Sequence, residues 1–299
     1  EHGEEDEGEE GELHVLLGLC ADGDVAALEK FLGNFAVQVS ASSTSNITPQ
    51  ELLGMADEEG DTPLVVACRF GRLEAAKFLA SCGAKVDVCN GLNETALQDA
   101  ALGGHLAVVE WLLPQLAPAT RDAAEEHGGM TAVGLACLHG HLPVVKALLA
   151  AGADASVVSA EGHTLLHLAC SAGRLDVARH LQTLPEPRTA ARDASGATPL
   201  HVACGAGELA TARFLVDECG AAVGATDDGG STPLHYALAG GYDEVAVWLL
   251  SAGADASAAN GDGNIPLHYA AQAGAGASLL KRLLIAGGGG GIGGPAPAS

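Results

Sequence analysis

Histidine and cysteine are the residue types with which this chain could do chemistry, since its 299 residues include twelve histidines and eight cysteines. Together they could supply metal ligands, a general acid and base, or a thiolate nucleophile. No paired C-x-x-C spacing indicates zinc, and no G-x-S-x-G or G-x-x-x-x-G-K-[ST] motif indicates a nucleophile elbow or a phosphate loop. The densest histidine pair, His139 and His141, lacks a visible four-ligand shell. The sequence therefore predicts no catalytic residue, no metal and no cofactor, and we expect the chain not to be an enzyme.

Most of these residues fall at fixed places in a repeated segment, of which Thr198-Pro199-Leu200-His201 is the clearest copy. A glycine follows nine residues after the threonine position in every copy, as Gly207 does here. Self-similarity at a fixed period indicates an array of structural repeats. Counted from the threonine position, repeats one to eight start at His14, Thr62, Thr95, Thr131, Thr164, Thr198, Thr232 and Ile265. Their spacings are 48, 33, 36, 33, 34, 34 and 33 residues, and the 48 is one period with an insertion.

Five cysteines share one slot, six residues after the threonine position, and alanine or leucine fills that slot in the other repeats. A slot that accepts these three residue types is an apolar packing position, where free cysteine behaves as a small hydrophobe. The five are Cys20, Cys68, Cys137, Cys170 and Cys204. Thiols without a secretory signal pattern indicate a reducing compartment. We therefore expect the cytoplasm, with the nucleus as the alternative.

Each repeat has the signals of two short helices. Threonine caps a helix N-terminus, and proline fits the first helical position, where its missing N–H is not needed. The first helix ends near the register glycine. A second, amphipathic segment follows and ends at a Gly-Ala step, such as Gly253-Ala254. Asp, Asn and Gly clusters then predict a turn-rich loop before the next repeat.

The period of about 33 residues, the T-P-L-H-x-A segment, the register glycine and the closing G-A-D resemble the ankyrin repeat. The resemblance covers residues 13–286. It implies an all-α fold, an ankyrin-repeat solenoid of helix-turn-helix units joined by β-hairpin-like loops. In the ankyrin family the histidine of T-P-L-H makes structural hydrogen bonds. We therefore predict a structural role for His167, His201, His235 and His268.

Three segments depart from the repeat pattern. Residues 1–12 are acidic and poor in apolar residues, which predicts a disordered tail. Residues 33–57 hold the insertion after repeat one, whose helix is expected to run from Val25 to Leu32. Within the insertion, Thr48 to Glu51 has capping-box spacing and predicts a short extra helix. Residues 287–299 are rich in Gly, Ala and Pro and predict a flexible tail.

The formal net charge is -24, which disfavours nucleic acid as a partner because an acidic surface repels phosphates. A protein with a basic surface is more compatible as a partner, and the alternative is that the charge serves solubility alone. No run of 18 uncharged apolar residues appears, so we expect no membrane insertion. We expect a monomer.

The functional prediction is a non-catalytic scaffold or adaptor that binds a partner protein through the concave surface of the array. The alternative is a regulatory or targeting segment of a larger enzyme, channel or ubiquitin-ligase subunit. By the ankyrin resemblance, partner contacts fall on the loop tips before the threonine position, on the residues just before the register glycine, and on other non-framework slots. The predicted partner-binding residues are Glu58, Glu59, Asp61, Arg69, Phe70, Glu94, Asp99, Met130, Leu138, His139, Glu161, His163, Asp228, Tyr236, Asp262, Asn264 and Tyr269.

Overall fold

The computed structural model divides the chain into two compact units, Glu1–Ala160 and Glu161–Ser299. It describes residues 3–41, 47–125, 128–156, 158–184 and 189–288. Within those ranges the regular elements are helices, and an isolated bridge joins Cys89 to Thr95. The predicted all-α fold is confirmed.

The first unit holds repeats one to four. Its helices are α1 (Gly3–Asp22), α2 (Val25–Ala41), α3 (Pro49–Gly54), α4 (Pro63–Arg69), α5 (Leu73–Ser81), α6 (Ala96–Leu102), α7 (Leu106–Leu112), α8 (Pro118–Arg121), α9 (Ala132–His139) and α10 (Leu142–Ala150). A 3-10 turn at Leu113–Gln115 follows α7, where Pro114 prevents the helix from continuing. The first helices α1, α4, α6 and α9 pack in one row, and α2, α5, α7 and α10 pack in a second row.

The second unit holds repeats five to eight and has the same plan. Its helices are α11 (Leu165–Ser171), α12 (Leu175–Leu181), α13 (Pro199–Gly205), α14 (Leu209–Asp217), α15 (Pro233–Ala239), α16 (Asp243–Ser251), α17 (Pro266–Gln272) and α18 (Ala277–Gly288). Helices α11, α13, α15 and α17 pack side by side, α12 packs against α14, and α16 packs against α18.

The core lies between the two rows of helices. The first helices of the inner repeats are almost wholly buried, as in α4, where Pro63 to Cys68 are all buried, whereas in α17 only Pro266 and Ala270 are. The five cysteines of the repeated slot are buried, which confirms their packing role. Burial raises the pKa of Cys20, Cys68, Cys137 and Cys204 to about 12 each, so these thiols stay protonated and unreactive. The remaining cysteines, Cys82, Cys89 and Cys219, are partly or fully exposed.

The register glycine is needed for two reasons, which Gly207 illustrates. Its φ is +81°, a left-handed conformation that side chains with a Cβ rarely adopt. The following repeat also covers it, because a Cβ at Gly207 would lie 2.5 Å from a ring carbon of Tyr242. The sequence register therefore reflects both a helix turn and a close approach between repeats.

The N-terminal boundaries differ from the predictions. Helix α1 begins at Gly3, inside the segment 1–12 that was predicted to be a disordered tail. Glutamate is a good helix former, and carboxylates are favourable in the first turns of a helix. Helix α2 continues to Ala41 and so takes up the start of the insertion, well past the predicted end at Leu32.

The predicted extra helix of the insertion is confirmed. Thr48 caps α3, and its backbone N–H donates to the Glu51 carboxylate at 2.6 Å, while the Glu51 N–H donates back to the Thr48 hydroxyl at 3.2 Å. At the C-terminus, α18 extends to Gly288, so it includes the first residues of the predicted tail. The rest of that tail, residues 289–299, lies outside the described residues.

Candidate protein-binding surface

Several loop tips, the five residues that precede a helix cap, are closed by their own first side chain. In the tip 57–61 the Asp57 Oδ1 accepts from the backbone N–H groups of Glu59 and Asp61 at 3.0 and 2.9 Å. Asn90 does the same for the tip 90–94, Asp193 for 193–197 and Asn260 for 260–264. These Asx turns need a short side chain with an oxygen acceptor at the first position, which explains the Asp and Asn clusters in the sequence.

Neighbouring tips are joined by one backbone hydrogen bond. In the first unit the Gly91 N–H donates to the Glu59 carbonyl at 3.3 Å. In the second unit the Asp228 N–H donates to the Ser195 carbonyl at 3.0 Å. The predicted tip residues Glu58 and Glu59 are exposed. Within each unit the tips thus form an ordered row that presents carboxylates.

A buried ionic cluster ties the tip 57–61 to the first helices of repeats two and three. The Arg69 guanidinium donates to Asp61 Oδ1 at 2.8 Å and to the two Asp99 oxygens at 3.1 and 3.3 Å. The exposed fraction is 30% for the Arg69 side chain, 1% for Asp61 and 5% for Asp99. Asn90 Nδ2 also donates to Asp61 Oδ1, at 3.1 Å. Burial raises the pKa of Asp99 to about 6 although Arg69 pulls it down.

This cluster changes the interpretation of three predicted partner-binding residues. Asp61 and Asp99 have no accessible surface to offer a partner, because their carboxylates are used inside the fold. Arg69 is held by both of them and belongs to the framework of the fold. Glu94 is half-buried, and its carboxylate accepts from Asn90 Nδ2 at 2.8 Å. The sequence showed the charges but not that they face one another.

Bulky apolar residues end the first helices of the first unit. Phe70 is 50% exposed at the end of α4, and Leu102 is 38% exposed at the end of α6. In α9 the predicted residue Leu138 is half-buried, and His139 is exposed and stacks on His141 with 6.3 Å between ring centroids. Leu102 was missed in the sequence, although it stands in the same slot as Arg69 and Leu138. Met130 is half-buried in the loop before α9.

The two predicted tyrosines of the second unit are mainly structural. Tyr236 donates its hydroxyl to Asp227 at 2.9 Å and packs edge-on against His201 at 5.1 Å. Asn260 Nδ2 donates to the Tyr269 hydroxyl at 3.0 Å, and the Tyr269 ring packs against His235 at 5.5 Å. Both side chains are half-buried, so each anchors a loop tip and leaves little surface for a partner.

The remaining predicted residues of the second unit lie on its loop tips. Glu161, Asp228 and Asp262 are exposed, whereas His163 and Asn264 are half-buried. His163 lies between two carboxylates, 3.4 Å from Glu161 and 3.3 Å from Asp193. In this unit the slots that hold Phe70 and Leu102 in the first unit carry small or polar residues. These residues are Ser171, Ala172, Gly205, Ala206, Ala239, Gly240, Gln272 and Ala273.

The histidines of T-P-L-H join one repeat to the next. The backbone N–H of Thr164 donates to Nδ1 of His167 at 3.2 Å, so Nδ1 is an acceptor and Nε2 carries the proton. Nε2 then donates to the Ala197 carbonyl at 3.1 Å, just before the next cap. His201 and His235 make the same bonds to Ser231 and Asn264. The predicted structural role of these three histidines is confirmed.

Glutamine makes the same connection in repeat three. The Gln98 side-chain oxygen accepts from the Thr95 backbone N–H at 2.7 Å, and its Nε2 donates to the Met130 carbonyl at 3.0 Å. The slot therefore needs one acceptor and one donor, which a neutral histidine and a glutamine both provide.

The histidine geometry predicts a loss of stability in acid. Burial lowers the pKa of His167 to about 4, below the value near 6.5 of an unfolded histidine. The unfolded state therefore binds more protons between pH 6.5 and 4, and stability falls as the pH falls through that window, by up to roughly 3 kcal/mol for this one group. His167→Gln keeps the donor and acceptor but cannot titrate. We expect its Tm to fall less than that of the wild type between pH 7 and 4.5. Equal slopes in thermal melts of the two proteins would contradict this.

The described part of the chain shows neither a metal-binding cluster nor a membrane-spanning helix. No group of three or more His, Cys, Asp or Glu side chains could hold a metal ion among residues 3–41, 47–125, 128–156, 158–184 and 189–288. No helix in those ranges is long and apolar enough to cross a bilayer.

Known proteins share this architecture. A solved structure of the human ASB11 ankyrin repeat domain is 28% identical, with a TM-score of 0.64, and the match covers 79% of this chain and 100% of that chain. The transient receptor potential cation channel subfamily A member 1 homolog of Caenorhabditis elegans is 28% identical over 134 residues, which are 44% of this chain. The match spans only 11% of that channel's length.

The family described as ankyrin repeats (3 copies) matches residues 13–123, 115–187, 181–260 and 219–289. These matches overlap and together span residues 13–289, nearly the same range as the repeats read from the sequence. The repeat period in the sequence and the paired helices of each unit both agree with this family. The chain therefore belongs to the ankyrin repeat family.

Proposed function

We propose that the chain is a non-catalytic adaptor that binds a partner protein through the loop tips and first-helix ends of its repeats. Ankyrin repeats are protein-interaction modules, and the fold is one of interaction rather than catalysis. The single observation that carries the proposal is Phe70, a half-exposed aromatic side chain at the end of a buried helix. Aromatic residues dominate the binding energy of protein interfaces, and this chain has few.

Charge defines the partner further. The ionic cluster of Arg69 fixes the tip that carries Glu58 and Glu59 to the helix that ends at Phe70. A partner with an apolar anchor flanked by Lys or Arg would cover Phe70 and Leu102 and pair with those carboxylates. Rim charges of this kind mainly raise the association rate and are screened by salt. We propose that the partner presents a basic surface and that the protein acts as a monomer in the cytoplasm, or alternatively in the nucleus.

Phe70→Ala tests this surface. If Phe70 is a central anchor, its removal should weaken partner binding by 10-fold or more, since such residues contribute about 2 kcal/mol or more. The full chain and the variant are used to capture binding proteins from the same extract, and what is retained is quantified by mass spectrometry. The Tm should change little, because the ring is half exposed.

Val158→Ala is the matched control, since Val158 is also 50% exposed in the first unit but lies outside the proposed surface. It should retain the same proteins as the wild type. If the wild type and Phe70→Ala retain the same proteins in equal amounts, the proposal is contradicted.

A second candidate is a regulatory or targeting segment of a larger protein. The match to part of a cation channel homolog favours this function. Membrane-spanning segments in the same reading frame, sought in the full transcript, would support it over a separate adaptor.

A further inference from the structure

The sequence Asp-Ala-Ser occurs three times in the chain, and in two copies the serine hydroxyl is held in the same way. Ser195 donates from its backbone N–H and from its Oγ to Asp193 Oδ1, both at 2.8 Å. Ser257 donates from the same two groups to Asp255 Oδ1, at 2.8 and 2.6 Å. Both serines are exposed. Their local geometry is therefore alike, and what distinguishes them is the residues that precede and surround them.

An arginine precedes Ser195 by three residues, and this spacing is unique in the sequence. Apart from Arg192, no Lys or Arg of the chain has Ser or Thr three positions later. Three residues before Ser257 the chain has Ala254. Arg192 pairs with Asp228 at 2.9 Å, but the two side chains are 48% and 69% exposed, so the pair holds the guanidinium only weakly. An arginine at this spacing is what arginine-directed serine kinases bind with the carboxylates of their substrate groove.

Ser195 is the third residue of the loop tip 193–197, a position that is acidic in other tips. Three other tips carry an exposed carboxylate there, at Glu59, Glu161 and Asp262. In the tip 57–61, Asp57 Oδ1 accepts from the Glu59 N–H at 3.0 Å, so acidic residues at the first and third positions coexist in one tip. A negative charge on Ser195, two residues after Asp193, is therefore compatible with the turn.

The surroundings of Ser195 supply a cation for a phosphate. A Cβ placed on Gly196 would lie 2.7 Å from Nη2 of Arg192, so the guanidinium lies against the backbone next to Ser195. A phosphate carries about two negative charges and binds a guanidinium more strongly than one carboxylate does. Arg192 would therefore exchange the Asp228 carboxylate for the phosphate. The Asp193 carboxylate would keep its role in the turn, because two backbone N–H groups of the tip also donate to it.

We propose that Ser195 is a phosphorylation site for a serine kinase that recognises arginine three residues before the acceptor. The γ-phosphoryl group of ATP passes to Ser195 Oγ. The new bond joins Oγ to phosphorus, the bond from phosphorus to the leaving ADP oxygen breaks, and the hydroxyl proton passes to a base of the kinase.

Phosphorylation places an anion where three other tips carry a carboxylate, so the tip row of the second unit gains a charge that can be switched. The effect of that charge on a basic partner rests on the proposed function. The phosphorylation of Ser195 itself does not, because it depends only on the tip and on Arg192.

The test treats the intact chain with ATP and an arginine-directed serine kinase, and mass spectrometry localises the phosphate. We expect Ser195 to be modified and Ser257, which has the same hydrogen bonds but no arginine, to react about 10-fold more slowly or less. Arg192→Ala should slow the modification of Ser195 by about 10-fold or more, the loss of one charged contact with the kinase. Arg192→Lys should retain part of the rate.

Arg282→Ala is the matched control for the kinase reaction. Arg282 is exposed in the same unit, and Ile285 rather than Ser or Thr follows it by three residues. This variant should be modified at Ser195 as fast as the wild type. Thermal melts of all variants before the reaction show that each is folded when the kinase acts.

The phosphorylated chain should keep its fold. The Asp228 N–H donates to the Ser195 carbonyl at 3.0 Å, and this bond does not involve the hydroxyl. We therefore expect the amide of Asp228 to stay protected from hydrogen exchange and the Tm to change by less than about 4 °C.

Three outcomes would overturn the proposal. The kinase could modify a standard peptide substrate in the same reaction and leave Ser195 unmodified. It could modify Ser195 and Ser257 equally, or Ser195 equally in the wild type and Arg192→Ala. A larger fall in Tm with loss of protection at Asp228 would show that the tip does not accept the phosphate. None of these measurements uses a partner protein, so a failure of the proposed adaptor function would be seen separately.

Discussion

Arg69→Ala should destabilise the first unit by about 3–5 kcal/mol, the cost of leaving buried charges without their partner. Asp61 and Asp99 are 1% and 5% exposed, and Arg69 is the cation that contacts both. Without it, two carboxylates remain close together in a site that already raises the pKa of Asp99 to about 6. Urea denaturation at pH 7.5 measures the loss.

The pH dependence of the same variant is a sharper test of the mechanism. In the absence of Arg69, protonation of Asp99 removes one of the two unpaired charges. A carboxyl group whose folded pKa is raised contributes stability that is present at low pH and lost as the pH rises through that pKa. The difference between wild type and Arg69→Ala should therefore shrink between pH 7.5 and 5. Asp99→Asn combined with Arg69→Ala should restore part of the stability at pH 7.5.

Arg192→Ala is the matched control. Arg192 lies 2.9 Å from Asp228, but their side chains are 48% and 69% exposed. An exposed ion pair contributes about 0–1 kcal/mol, so this substitution should change little. Equal losses for Arg69→Ala and Arg192→Ala would show that burial of the Arg69 cluster is not what makes it important.

The sequence predicted what each repeat needs locally. The threonine cap, the register glycine and the buried cysteine slot recur because each repeat has the same turn and the same packing. The capping box of α3 could also be predicted from the spacing, because its two residues, Thr48 and Glu51, lie within one four-residue segment. Period and residue type were enough for these features.

Contacts between repeats could not be predicted in the same way. Arg69 and Asp99 are thirty residues apart, and nothing in their types shows that both face inward. Tyr236 was read as a partner contact, but its hydroxyl reaches Asp227, nine residues earlier. The end of α2 was placed too early because its continuation to Ala41 follows no repeat pattern. Positions that differ between repeats are where the structure adds most.

The fourth residue of a loop tip is a position of this kind. Whether it must be glycine depends on how closely the next tip packs against it. Gly60 has a φ of +84°, and a Cβ there would overlap the backbone N of Gly91 and lie 2.8 Å from its Cα. The contacted atoms belong to a backbone held by the bond from Gly91 N–H to the Glu59 carbonyl, so they cannot move aside cheaply. Gly60→Ala should combine the strain of a positive φ with the breaking of this contact. We expect a loss of about 3 kcal/mol or more in urea denaturation.

Gly263→Ala separates the two causes. Gly263 has the same place in the last tip and a φ of +78°, but a Cβ there would meet nothing within 4 Å. It should therefore cost only the conformational strain, about 1–2 kcal/mol. Similar losses for the two variants would mean that the φ angle alone selects glycine. A larger loss for Gly60→Ala would show that stacking of successive tips selects glycine there, and that Gly263 escapes this constraint because none of the described residues lies against it.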